Sequence, residues 1–357
     1  MPSPRLPAVA CGAMLVALLL PAALLGAATP LSFLEKPDAW FASDDGKRVM
    51  ANVISQQRPS GGWWKAYDAE KPRDASKEWS ARGLSTFDNN ATWGELRLLA
   101  RAIRVTGDTA YRAAFDRGLA SALAAQYDNG GWPQQYPLPG TEAYAGHITY
   151  NDDGMTSVLR LIGDVAAGEG DFAFVPPETR QQCRRAFDKG IDCILATQIR
   201  IDGKPAAWCA QHDAKTLAPA KARAYELPSL SGGESANIAL LLMSLPHPDD
   251  RVKAAVRGVV AWYERSAVRG VREERRPTKE SNRGYDVVHV PDPAAPPMWA
   301  RFYDLDTGKP YYCGRDGVKK ATLAEIELER RAGYAWLRPW GKKVLDAYPA
   351  WAAKHGG

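Results

Sequence analysis

Loops of glycine and tryptophan that return roughly every 70 residues constrain this chain more than any other feature. Lys47 to Gln57 has a helical texture and runs into Pro59-Ser60-Gly61-Gly62-Trp63-Trp64-Lys65. A similar ending stands at Gln126 to Pro133, with Gly130-Gly131-Trp132, and a looser one at Thr197 to Lys204, followed by Trp208. Trp64 to Trp132 is 68 residues and Trp132 to Trp208 is 76. A repeat of that length, each unit two helices closed by a Gly-Trp loop, marks a repeated αα-hairpin. The helices are legible between the loops: Ala91 to Val105 with Thr109 to Tyr127, Gly154 to Val165 with Pro177 to Gln198, and Gly232 to Ser244 with Asp249 to Val268. Each carries one apolar stripe at three-and-four spacing, so neighbours pack antiparallel around a ring. The expected fold is mainly α: an (α/α) toroid, an incomplete helical barrel with long irregular loops at its two ends and few short strands. Ala321 to Leu337 reads as a further helix, and Trp340 to Ala353 closes the body.

Residues 1–28 read as a secretory signal, with Arg5, an apolar run from Met14 to Leu25, and Gly26-Ala27-Ala28 before a cut. That run is short for a membrane span. Residues 29–357 then form a single domain, expected to be a monomer, secreted or periplasmic and without membrane attachment. Of the formal charge of +5, one unit comes from Arg5. Such mild basicity admits an anionic substrate, and no dense Lys/Arg block points to nucleic acid. Cys183, Cys193, Cys209 and Cys313 allow three pairings. On one helix Cys183 and Cys193 stand about 15 Å apart along the axis, too far for a bridge. A Cys209–Cys313 bridge would tie two loops together. There is no Cys-x-x-Cys or His-x-x-x-His, which leaves little basis for zinc.

From Gly270 the texture changes to a charged, proline-containing connection of irregular backbone or short strands, and long connections of that kind carry function or disorder. It leads into Met298 to Gly317, where Trp299, Phe302, Tyr303, Tyr311 and Tyr312 accompany Arg301 and Arg315. Planar, forked guanidiniums beside flat aromatic faces suit a ligand bearing carboxylates on rings, such as an acidic sugar polymer. Two polar knots, Ser85 to Thr92 and Ile148 to Met155, stand at helix entrances. Each offers Asp and Asn as helix caps. The 64 residues from Asp88 to Asp152 nearly match the repeat, however, which would place both carboxylates at one end of the ring. Oxygen ligands without His or Cys are hard ligands suited to Ca²⁺. In the loop from Ala206 to Asp213, Trp208 offers a face for a sugar, and Arg223 downstream offers a carboxylate clamp. His212 is a candidate base, although a lone loop histidine is more often structural. Gly232-Gly233-Glu234-Ser235 most simply starts a helix.

Taken together, STFDNNATW, HITYNDDGM, the glycine-tryptophan loops, WCAQHD, ARAYELPS and RFYDLDTGKPYYCGRDG resemble the polysaccharide lyase family 10 pectate lyases, over about Gln57 to Leu337. The resemblance implies an (α/α) toroid with an open groove and calcium-dependent cleavage of α-1,4-linked polygalacturonate by β-elimination. It implies an arginine base, which motif order puts at Arg315, with Asp88 assisting. Arg223 and Arg301 then match substrate-binding arginines, with Asn89 and Trp208 beside the substrate. Asp88 and Asp152 match residues that assist calcium, with Asp153 adding a neighbouring charge. Asn90 and Trp93 depart from the family pattern, which bears on the ligand set more than on the reaction.

In β-elimination a base removes the proton α to a uronate carboxylate and the bridging oxygen on the next carbon leaves. Cations around the carboxylate stabilise the charge that builds there. An arginine base has a pKa above about 12, so the sequence predicts that Arg315 is partly buried among cations and that activity rises toward alkaline pH. Three other readings compete. An (α/α) glycoside hydrolase would use two carboxylates roughly 6.5–9.5 Å apart and yield no double bond. A terpene cyclase shares glutamine-tryptophan repeats but uses an Asp-rich protonating motif that is missing here. A non-catalytic pectin-binding protein would keep the aromatics and have no need of Arg315.

Overall fold

The computed structural model describes residues 29–138 and 144–356; the expected secretory signal, residues 1–28, lies outside the described residues. Ten α-helices stand among the described residues. After α1 (Asp38–Ala42) and α2 (Asp44–Ser55) come the hairpins α3 (Trp93–Thr106) with α4 (Thr109–Ala124), α5 (Gly154–Ala167) with α6 (Pro177–Thr197), and α7 (Glu234–Met243) with α8 (Asp250–Ser266). Then follow α9 (Leu328–Gly333) and α10 (Trp340–His355). The first helix of each hairpin packs on the next, α3 on α5 and α5 on α7, while α10 packs on α7 and α8. This is the expected toroid. The apolar stripes of α3, α5 and α7 meet in one core that includes Leu96, Leu99, Val158, Leu161, Ile238 and Leu242, all almost completely buried.

The repeat has a chemical basis at each hairpin junction. Trp63, Trp132 and Trp208 are fully buried, and each indole N–H donates to a carbonyl of the preceding helix: Val53 at 2.7 Å, Ala122 at 2.8 Å and Ile194 at 2.7 Å. The repeating residue of the first loop is therefore Trp63 rather than its neighbour Trp64. Trp299 supplies a fourth instance, to Tyr263 of α8, with no Gly-Gly before it to reveal it in the sequence. The side-chain amides of Gln57, Gln126 and Gln198 each donate twice, to a carbonyl of their own loop and to one of the next hairpin. The second acceptors are Ala114, Ala186 and Ala255, on α4, α6 and α8. Gly130 is obligatory at its junction, with φ of +89° and a hypothetical Cβ only 2.0 Å from the Lys189 carbonyl.

At one end of the ring, successive loops are laced by two-residue antiparallel pairings. Ser85–Thr86 joins Gln135–Tyr136, Ile148–Thr149 joins Gln211–His212, and Leu230–Ser231 joins Phe302–Tyr303. These pairings carry the two polar knots and the arginine loop to the same end. Beyond Gly270 lies a regular hairpin of two seven-residue strands, Val271–Pro277 and Tyr285–Pro291. Ala321 to Leu337 is not one helix. A capping box at Thr322 starts a single 3-10 turn, Ile326 and Glu327 are extended, α9 follows, and Leu337–Arg338 pairs with Trp299–Ala300. The aromatics of the arginine loop are core: Trp299 and Tyr303 join the main core, and Phe302, Tyr311 and Tyr312 form a second cluster with Tyr225 and Trp336. The four described cysteines are buried and free, so the Cys209–Cys313 bridge does not form.

Candidate active site

The laced end of the ring holds a chamber of about 130 Å³ whose walls include Asp88, Asn89, Asp152, Arg223, Glu226 and Lys65. Its acidic members come from the two knots, and neither knot caps a helix. Thr92 precedes α3 and Asp153 precedes α5, and neither side chain makes a capping bond. The backbone is instead wound into the left-handed region at Asn89 (φ 50°), Asn90 (70°), Asp152 (50°) and Asp153 (61°). Asn and Asp tolerate that region better than other residues, and such conformations gather at functional sites.

Asp88 is 3% exposed and ion-paired with Lys65, a cation that sequence reasoning left in the first Gly-Trp loop. Its Oδ1 has no hydrogen-bond partner, and neither has the buried Oε1 of Gln134, another wall of the chamber. Asp152 faces Asp88. Its pKa is raised to about 6, first by partial burial and next by the charge of Asp88. Asp152 Oδ2 accepts from the Asn151 side-chain amide at 2.9 Å, and two facing carboxylates with the unpartnered oxygens of Asp88 and Gln134 beside them fit a hard divalent cation. Among the described residues no cluster of three or more His, Cys, Asp or Glu side chains is placed to hold a metal. A cation in the chamber would be held by Asp88 and Asp152, with amide oxygens such as that of Gln134. Asp153 does not join them; it turns to the Asn237 side-chain amide, because the left-handed turn at Asp152 and Asp153 sends the two side chains apart.

Arg301 braces the chamber from behind. One terminal nitrogen donates to Asn151 Oδ1 and to Glu234 Oε1, both at 3.1 Å, and lies 3.9 Å from Asp152. Burial pulls its pKa down, but Glu234, Tyr334 and Asp152 more than offset this and hold it charged. Glu234, which starts α7 as the sequence suggests, is thus also the carboxylate partner of Arg301. Arg223 stands on the rim, clamped through two nitrogens by Glu226, and this pairing raises its pKa. Glu226 sits in the quoted ARAYELPS motif and could have been found there as the arginine's partner.

Arg315 is placed differently from the expectation. It is exposed, is not a wall of the chamber, and donates to Glu329 at 3.1 and 3.0 Å, which raises its pKa. The arginine that is buried among cations is Arg330, 4% exposed, with its Nε and one terminal nitrogen unpaired and its pKa lowered by burial. Arg330 lies 3.7 Å from the Tyr225 ring and 4.3 Å from the Tyr334 ring. Arg301 covers Tyr334 at 4.5 Å, while Arg223 and Arg315 approach Tyr225 at 5.0 and 5.3 Å. A ladder of alternating guanidinium and phenol thus links Arg301 at the chamber to Arg315 at the surface. Nothing in the sequence marked Arg330.

Two other expectations are corrected. Trp208 cannot stack on a sugar, since its ring is fully buried and its N–H is used by the fold. His212 is structural: Nδ1 contacts the Leu217 carbonyl at 2.8 Å, Nε2 accepts from the Cys209 amide at 3.1 Å, and burial lowers its pKa to about 4.

A profile of the pectic acid lyases matches residues 57–345. This chain belongs to the pectic acid lyase family. The pectate lyase is similar to solved structures of a family 10 polysaccharide lyase from Cellvibrio cellulosa. One is an Asp-to-Ala mutant in complex with trigalacturonic acid, at TM-score 0.71 and 32% identity over 93% of this chain and 100% of that one. Another, of the family 10 lyase from the same organism, has TM-score 0.71 and 33% identity over 90% and 96% of the two chains. No curated protein matches this lyase.

Proposed function

We propose that the enzyme cleaves α-1,4-linked polygalacturonate by calcium-dependent β-elimination in the chamber between Asp88, Asp152 and Arg223. The observation that carries this reading is the pair of facing carboxylates, that of Asp88 with an unpartnered oxygen, beside a rim arginine. The trigalacturonic acid bound by the similar Cellvibrio lyase supports the substrate class. Ca²⁺ held by Asp88, Asp152 and neighbouring amide oxygens would supply positive charge to a uronate carboxylate as its α proton leaves.

Arg223 is the arginine of this chamber that can reach a substrate, and we assign the base to it rather than to Arg315. Arg223 takes the α proton, the C–O bond to the bridging oxygen breaks as the C=C bond forms, and the departing oxygen takes a proton from water. Its pairing with Glu226 raises its pKa and holds it protonated at neutral pH, so the neutral form that can act as base is scarce and activity climbs toward alkaline pH. Asn89 at the rim is the polar contact for a neighbouring sugar hydroxyl. The apolar run from Met14 to Leu25 supports export of the enzyme; N-terminal sequencing of protein recovered outside the cytoplasm, expected to begin near Thr29, checks this.

The base assignment is tested with two variants on polygalacturonate, following the ultraviolet absorbance of the unsaturated product. Arg223→Ala should lose roughly 10²–10⁴-fold in kcat, the span of general base catalysis, and Arg315→Ala less than about tenfold. The reverse order would return the base to Arg315. Reducing ends formed without a double bond would point to a hydrolase.

A further inference from the structure

Beside the chamber lies a second cavity, of about 170 Å³, that the reaction above does not use. Lys65 lines both, so the two adjoin along one groove. Clefts for drug-sized molecules run from roughly 300 Å³ upward, and each of these two spaces is on the scale of a single sugar ring. The other walls of the second cavity include Arg58, Trp64, Tyr67 and Ser80, and none of its lining residues is acidic.

Arg58 is what makes this cavity unusual. It is 8% exposed, donates to the Ser80 carbonyl at 2.8 Å and to the Ser80 hydroxyl at 3.0 Å, and leaves its Nε unpaired. Its guanidinium lies 4.7 Å from the Trp79 ring and 5.7 Å from the Trp64 ring. No carboxylate pairs with it among the described residues. Buried cations are normally paired with an anion, and aromatic faces return only part of what desolvation removes. The cavity therefore offers one unpaired buried cation, the ammonium of Lys65 on its inner side, and a half-buried indole on which a ring can lie. An anionic sugar matches all three: a carboxylate for the cations and a flat apolar face for Trp64.

We propose that this cavity is a distal subsite for one hexuronate ring of the same polysaccharide chain that crosses the chamber. The ligand class rests on the lyase reading; the site itself rests on Arg58, Lys65 and Trp64.

The test compares kcat/KM for tri- through hexagalacturonate in wild type, Trp64→Ala and Arg58→Gln. Wild type should gain with chain length. Both variants should lose about tenfold on hexagalacturonate, the equivalent of one modest contact, and less than about twofold on trigalacturonate. Trp64→Ala decides alone if Arg58→Gln fails to fold, since Trp64 is half exposed. A wild type indifferent to length, or variants that keep the wild-type hexamer-to-trimer ratio, would overturn the subsite. Calorimetric titration of the same oligomers into Asp152→Asn, with and without Trp64→Ala, separates the two claims. If wild type forms no double bond from any oligomer, the lyase reading fails, and the hexamer-to-trimer affinity ratio still decides the subsite.

Discussion

Two kinds of loop alternate around the end of this ring, and they are built to opposite standards. At the Gln-Trp junctions the glutamine amide nitrogen and the indole N–H are fully used: Gln126 donates to two carbonyls and Trp132 to a third, and the arrangement recurs from hairpin to hairpin. At the acid turns the backbone is left-handed at non-glycine residues, Asp88 Oδ1 has no partner, and Asp152 is pushed toward the neutral form. The junctions stabilise the ring, and part of that stability is spent at the acid turns, where the proposed substrate and cation would meet unmet charge. Satisfied loops thus belong to the fold and unsatisfied ones to the reaction.

The sharpest break between the two should come from Asp152→Asn. It should lower kcat by roughly 10²–10³, as when one preorganised electrostatic group is lost, while leaving the thermal midpoint unchanged or higher, because a strained carboxylate is removed. A fall in both would mean that Asp152 is structural. Next, Gln126→Ala should destabilise by about 1–3 kcal/mol in chemical denaturation, since buried carbonyls lose their donor, with kcat near wild type. Trp208→Phe should behave likewise and by a similar amount, with KM for polygalacturonate unmoved; a raised KM would restore the sugar-stacking role denied to it above.

The smallest effect is on pH. Asp152 has a folded pKa raised to about 6 from an ordinary 3.8, and Glu95, buried with only a Tyr67 hydroxyl on one oxygen, is raised to about 7 from 4.5, in both cases chiefly by burial. Folded protein therefore holds these protons longer than unfolded chain does. Their contribution to stability is full below about pH 4 and is lost as pH rises through 6 and 7. In chelator, thermal midpoints attributable to these groups should fall over that window, and Ca²⁺ should restore the Asp152 part alone. A midpoint that Ca²⁺ does not move would argue against the cation site.

The helical ring was legible because αα-hairpins announce themselves through periodic apolar stripes and returning Gly-Trp loops. The extra junction at Trp299 escaped because its partner, Tyr263, is 36 residues away and no glycine marks it. The convergence of Asp88 with Asp152 was legible from their spacing relative to the repeat. The placement of Arg315 was not, since its fate depends on Glu329 across a break between two short helical turns that reads as one continuous helix. Side-chain direction was equally hidden: Asp152 and Asp153 are adjacent, yet one faces the chamber and the other faces Asn237. Trp208 shows the same limit, because a tryptophan in a loop offers its face to sugar or to core, and only the carbonyl of Ile194 decides between them.

The most direct test of the account is the initial rate of unsaturated product from polygalacturonate as Ca²⁺ is titrated back into chelator-treated enzyme. Silence in chelator, with a saturable return that Asp152→Asn abolishes, is the predicted result. Full rate in excess chelator, or a return that ignores Asp152, would contradict it.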